Sequence, residues 1–140
     1  MHRLLALVVT LGLGGCGLLS PPGWIESPPH QDGWIHAVGS AGVTFDNNPA
    51  RSEAMALERA LRELATQISV QVTASTLLSE SNTGSRLRAE THTFSDEELK
   101  WVQIRKKWVD RDGKLGDPGR VYVLIRMSDS DARKTRLGRG

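Results

Sequence analysis

The chain has 140 residues, 39% of them hydrophobic and 24% charged, which is enough for one domain with a buried core and too little for a multidomain enzyme. With 18 basic and 16 acidic residues the net charge is only +2, which excludes a dedicated nucleic-acid binder with its basic surplus. The single cysteine excludes an internal disulfide and a cysteine-rich metal centre.

The chain starts with a short positive region, Met1-His2-Arg3, followed by an apolar run from Leu4 to Leu13 and by Gly14, Gly15 and Cys16. This is the layout of a secretory signal. A ten-residue helix spans about 15 Å, half of a hydrocarbon core about 30 Å thick, so the run is too short to be a membrane span. Leu13-Gly14-Gly15-Cys16 resembles the lipobox of bacterial lipoproteins. The resemblance implies cleavage between Gly15 and Cys16, diacylglycerol on the Cys16 thiol and acylation of the new amine. One acyl chain binds a membrane only marginally, whereas three hold durably, so the lone thiol is expected to serve as the anchor. Gly17, standing where some lipoproteins carry Asp, implies by the same resemblance an outer-membrane destination facing the periplasm.

Residues 17–33 hold two Pro-Pro pairs and no periodic apolar pattern, and read as an extended tether reaching roughly 50 Å. The expected organisation is therefore a signal at 1–15, a lipidated cysteine and tether at 16–33, a domain at 34–130 and a basic tail at 131–140. Trp34 to Gly42 reads as a short strand closed by a Gly-Ser-Ala-Gly turn. Next, Asn48 can cap a helix and Pro49 suits its first position, and apolar residues recur at Ala50, Ala54, Leu57, Leu61, Leu64 and Ile68. That predicts an amphipathic helix of about five turns, its stripe buried and its Glu58–Arg62 and Arg59–Glu63 pairs outside it. Burial of each large stripe residue is worth about 1.5–3 kcal/mol, so the stripe decides the docking.

Near Ser69 the pattern changes to period two, with Val70, Val72, Ala74 and Thr76 on one side, which predicts a strand following the helix directly. Ser79 to Arg86 reads as a mobile loop. Ser95-Asp96-Glu97-Glu98 has the form of a capping box and predicts one helical turn. Lys100 to Val109 and Arg120 to Met127 read as strands joined by the Gly-, Asp- and Pro-bearing hairpin loop between them. The remainder starts like a helix and ends as a frayed basic tail.

No catalytic or metal constellation stands out, and no cofactor is expected. Ser40 lies in Val38-Gly39-Ser40-Ala41-Gly42, which lacks the first glycine of a nucleophile elbow. Asp110-Arg111-Asp112-Gly113 lacks the other ligands of a calcium loop and reads as a turn. His30, His36 and His92 have no ligand spacing and read as solvated or loosely packed imidazoles. Trp101, Arg105, Lys107 and Trp108 form the one aromatic-basic pattern, a candidate contact for an anionic ligand, with Arg133, Lys134, Arg136 and Arg139 gathering beside it if the last two strands pair. The alternative is a solvated face whose bases guard a strand edge. Strict alternation would place Lys106 among inward residues, and a bulge near Arg105 would turn it outward and Val109 inward.

The lipobox, the Pro-rich Pro21 to Trp24, Ala37 to Gly42, the Ala-rich stretch from Ala50 to Val72 and the closing Lys107 to Met127 resemble the LPP-twenty lipoprotein family, itself similar to the N-terminal domain of flagellar assembly protein T. Trp108-Val109-Asp110, a glycine turn and Val121-Tyr122-Val123-Leu124 are the best part of the resemblance. It implies a small sheet on a helix, an envelope location and no shared enzymatic activity. The fold class expected is α+β, an antiparallel sheet of about three to four strands packed on one long amphipathic helix. The function expected is that of a noncatalytic lipoprotein, held in the membrane through Cys16, that supports or binds other envelope proteins or assists flagellar or envelope assembly. The alternative is a binding module for peptidoglycan or an anionic glycolipid such as lipopolysaccharide. A small hydrolase is a third class, for which no site is recognisable.

Overall fold

The computed structural model describes residues 20–79 and 94–139, with the side chains of 75–79 left aside. The signal region, Gly15, Cys16, His92 and nearly all of the Ser79–Arg86 loop lie outside the described residues.

Among the described residues three strands and three helices follow in the order β1 (Trp34–Ala41), α1 (Pro49–Ser79), α2 (Asp96–Leu99), β2 (Gln103–Asp110), β3 (Arg120–Ser128) and α3 (Asp129–Lys134). The sheet is antiparallel with β3 in the centre, in the order β1-β3-β2. α1 packs across β1 and β3, giving the expected α+β class with a sheet of three strands. The centre goes to Arg120–Ser128 because its residues are apolar on both faces. Val121, Val123, Ile125 and Met127 meet α1, and Tyr122 and Leu124 are buried on the other side.

α1 starts where the sequence says it should. The Asn48 side-chain oxygen accepts from the backbone N–H groups of Ala50 (3.0 Å) and Arg51 (3.3 Å), two of the donors that a helix start leaves unpaired. Its docked face is rotated from the expected stripe. Ser52, Ala56, Ala60, Leu64, Ala65 and Ile68 are buried, Leu57 and Leu61 are half-buried, and Ala50 and Ala54 are exposed. The reason lies in β1. A Cβ on Gly39 would collide with the Ala56 carbonyl and the Ala60 backbone nitrogen, so a glycine facing two alanines lets the helix backbone lie directly on the strand. Of the two expected ion pairs, Glu58–Arg62 forms. Arg59 instead donates to the Ser40 carbonyl (2.7 Å) at the outer edge of β1, and Glu63 accepts from Gln67 (3.2 Å).

The strand expected after Ser69 is helix. α1 continues to Ser79, and Thr73 donates its hydroxyl to the Ser69 carbonyl (2.9 Å), a bond available only in helical geometry. Each added helical residue gains one hydrogen bond without a new nucleation cost, and no Gly or Pro interrupts 50–79. β-branched residues favour strands chiefly through packing in a sheet, and among the described residues the sheet is formed by other segments.

Two further expectations change. The Pro-rich stretch is not an extended tether over its described part. Ile25 N–H bonds to the Pro22 carbonyl and Ser27 N–H to that of Gly23, Trp24 and Ile25 are half-buried, and Gln31 bridges to Trp34. The expected frayed tail is packed. Leu137 and Thr135 are buried, and the buried Glu98 carboxylate accepts from the backbone N–H of Ser95 (2.8 Å) and of Arg136 (2.7 Å), tying α2 to the C-terminal segment. The capping box itself is present: Ser95 accepts from Glu98 N–H (3.4 Å).

Candidate functional site

Register assigns every strand residue to a face. Ile35, Ala37, Gly39 and Ala41 of β1 lie opposite Met127, Ile125, Val123 and Val121 of β3 on the α1 side. The other face carries three rows: His36, Arg126 and Gln103; Val38, Leu124 and Lys106; Ser40, Tyr122 and Trp108. Pairing skips Arg105 between Ile104 and Lys106, so a bulge stands there; Lys106 lies away from α1 and Val109 on its side.

That bulge disperses the candidate contact residues. Lys107 falls on the helix side and pairs with Glu53 of α1. Trp108 falls on the opposite face, its ring 5.7 Å from that of Tyr122 and tilted by 40°. Trp101 precedes β2, with the Lys134 ammonium of α3 5.8 Å from its ring centre. Arg105 stays at the bulge. The four residues do not share a surface, and of the tail bases Lys134 is the one brought to Trp101.

A different group converges on the second face. The Arg126 guanidinium lies 3.7 Å from the ring centre of Trp34, its diagonal neighbour across β1 and β3. Its Nε donates to the Gln103 side-chain oxygen (3.0 Å) and one Nη to that of Gln31 (3.3 Å). Both acceptors are neutral. Among the described residues no carboxylate pairs with Arg126, Arg105 or Lys106. His36, directly across from Arg126, is not solvated as its sequence context suggests: it is only 9% exposed, and its Nδ1 has no hydrogen-bond partner among the described residues. Burial, and then the charges of Arg126, Arg105 and His30, hold its pKa below the usual imidazole value. Desolvation and the neighbouring Arg105 likewise lower that of Arg126. The face therefore concentrates positive charge beside desolvated nitrogen.

No local sequence pattern singles out Trp34, Gln31 or Gln103, and His36, expected to be solvated or loosely packed, is buried instead. Arg126 has one signal: it interrupts an otherwise apolar run from Val121 to Met127. Its placement opposite His36 and Gln103 depends on pairing between segments 90 and 23 positions away, which no local pattern encodes.

The other chemical candidates resolve as framework. The Ser40 hydroxyl accepts from Arg120 (3.3 Å). The Asp110 carboxylate, nearly fully buried, accepts from the backbone N–H groups of Lys114 (2.8 Å), Leu115 (2.7 Å) and Gly116 (3.2 Å), folding the hairpin loop around itself. Burial opposes its charge, yet these donors outweigh it and hold its pKa low. Among the described residues no three His, Cys, Asp or Glu side chains gather as a metal site, and no helix is long and apolar enough to cross a membrane.

No family model matches the chain, and no curated protein does. Among solved structures, the secreted protein HP1454 from Helicobacter pylori is similar at 19% identity and a TM-score of 0.41, over 74% of this chain. This chain spans about a third, 34%, of that protein's length.

Proposed function

We propose that the chain is a noncatalytic lipoprotein of the bacterial envelope, anchored through acyl chains on Cys16 and seated in the outer membrane facing the periplasm, with its α+β domain in a structural or protein-binding role among other envelope proteins. The observation that carries this reading is Leu13-Gly14-Gly15-Cys16 at the end of a positive and then apolar leader. Membership of the LPP-twenty family belongs to the same proposal. Its support is Trp108-Val109-Asp110 and Val121 to Leu124, which lie on the paired strands β2 and β3.

The folded N-terminal segment sharpens the proposal. From Cys16 to Ser20 is four residues, a reach of about 14 Å at most, and the chain from Ser20 to Gly33 turns and half-buries Trp24 and Ile25 instead of extending. An acylated Cys16 would thus hold the domain close to the bilayer. The test is labelling of cells with radioactive palmitate. The wild-type chain is expected to take up label and Cys16→Ser to take up none and remain unprocessed; label in the serine variant would remove the reading.

A second reading, a binding module for peptidoglycan or an anionic glycolipid, is favoured by one observation, the cations on the second sheet face that have no carboxylate partner among the described residues. Salt sensitivity of lipopolysaccharide binding tests it, since exposed charge attraction is screened within about 10 Å at 0.1 M salt.

A further inference from the structure

We infer that Arg126, Arg105 and His36, with Trp34 and the amides of Gln31 and Gln103 as their frame, form a binding site for a single oxyanion of the phosphate class. This rests on the cations that favour the second reading above and is independent of the lipid anchor.

The hydrogen-bonding capacity of Arg126 is only partly used. A guanidinium has five N–H donors in a rigid fork. Here two are held by neutral amide oxygens at 3.0 and 3.3 Å, and the plane lies on Trp34 at 3.7 Å. The frame fixes the fork but leaves its charge uncompensated. Arg51, Arg62 and Arg120 by contrast each have a carboxylate partner, Asp46, Glu58 and Asp117. Arg126 is instead accompanied by a second cation, Arg105, which the bulge leaves outside regular pairing.

The second observation is independent of charge. His36 sits in the same row as Arg126, nine-tenths buried, with Nδ1 lacking a partner among the described residues. A buried polar atom without a partner is costly, and such atoms are rare in folded proteins. A phosphate-class group answers the charge of both guanidiniums: its oxygens accept from the free N–H groups of Arg126 and from Arg105, and the His36 ring, directly across from Arg126, stands beside it. A cation or apolar ligand would leave the two guanidiniums repelling one another.

The experiment follows the side-chain N–H signals of arginine and histidine in the full-length protein in nonionic detergent, titrated with sodium phosphate at constant ionic strength. Saturable shifts are expected at Arg126 and His36. Arg126→Gln should weaken binding by about tenfold or more, given what charged hydrogen bonds contribute. Because Arg126 also packs on Trp34, exposed Arg105→Gln is the second variant and should weaken binding by a smaller factor, with Arg62→Gln on α1 as the unaffected control. A parallel titration with lipopolysaccharide distinguishes the sources of the phosphoryl group. Tighter, Arg126-dependent binding there assigns a glycolipid phosphate. Binding of phosphate alone assigns the free ion, leaving the site standing and removing the glycolipid form of the second reading. No saturable shift with phosphate, or shifts of equal size in Arg126→Gln and Arg62→Gln, would overturn the inference.

Discussion

Gly39 of β1 lies against the backbone of Ala60 in α1, so near that a Cβ at Gly39 would occupy the space of the Ala60 amide nitrogen. This approach decides which helix face docks, and it can be tested by enlarging the glycine. Gly39→Ala should destabilise the domain by about 1–3 kcal/mol or more, since the obstacle is backbone and has nowhere to move. Gly42→Ala is the comparison: its Cβ would meet only an Arg120 side-chain nitrogen at 3.7 Å and should change stability little. Urea unfolding followed by tryptophan fluorescence measures both.

The helix face gives a second expectation. Leu64 is wholly buried, and Leu64→Ala should cost about 2–5 kcal/mol through lost transfer energy and the cavity left behind. Val70, 60% exposed in α1, should tolerate Ala within about 0.5 kcal/mol. Equal losses would mean that the period-two pattern, and not the helical one, governs this stretch.

These two positions also mark what the sequence made legible. Asn48-Pro49 announced the helix start because capping is local chemistry, and the β2–β3 hairpin followed from turn residues between two apolar runs. Lys106 made a bulge near Arg105 one of two readings, since unbroken alternation would turn an ammonium inward, and the strand register decides for the bulge. The end of α1 was hidden: Val70 and Thr76 favour strands only in a sheet, and this stretch is helix. The rotation of the helix was hidden as well, because Ala56 and Ala60 carry little hydrophobic weight until Gly39 is known to face them. The convergence of Arg126, His36 and Gln103 came from register alone.

His36 sets a pH dependence. Its pKa in the folded protein lies below that in the unfolded chain, about 6.5, so the unfolded state takes up the proton more readily. Its contribution to stability is whole above about pH 6.5 and declines as pH falls below that value, until the folded form also protonates. The groups responsible are the burial of the ring in β1, Arg126 on β3, Arg105 on β2 and His30 in the N-terminal segment. The urea midpoint should drop between pH 7.5 and 5.5, and His36→Gln should flatten that drop. An unchanged slope would contradict the burial of a neutral imidazole.

Asp110 acts at the opposite end of the scale. Its carboxylate holds the hairpin loop by three backbone N–H groups, and its lowered pKa means that its contribution is present above the usual carboxylate range and is lost as pH falls through the folded value. Asp110→Ala should release the amides of Lys114, Leu115 and Gly116 to rapid hydrogen exchange and lower the melting temperature. Asp112→Ala, at an exposed position of the same loop, should do neither.

The mass of the mature N-terminus tests the lipid anchor at Cys16. For the protein extracted from a bacterial host's membranes, mass spectrometry should find a chain that starts at Cys16 and carries diacylglycerol on its thiol and an acyl group on its amine. A chain starting at Met1, a cut at any other position, or an unmodified Cys16 would contradict it.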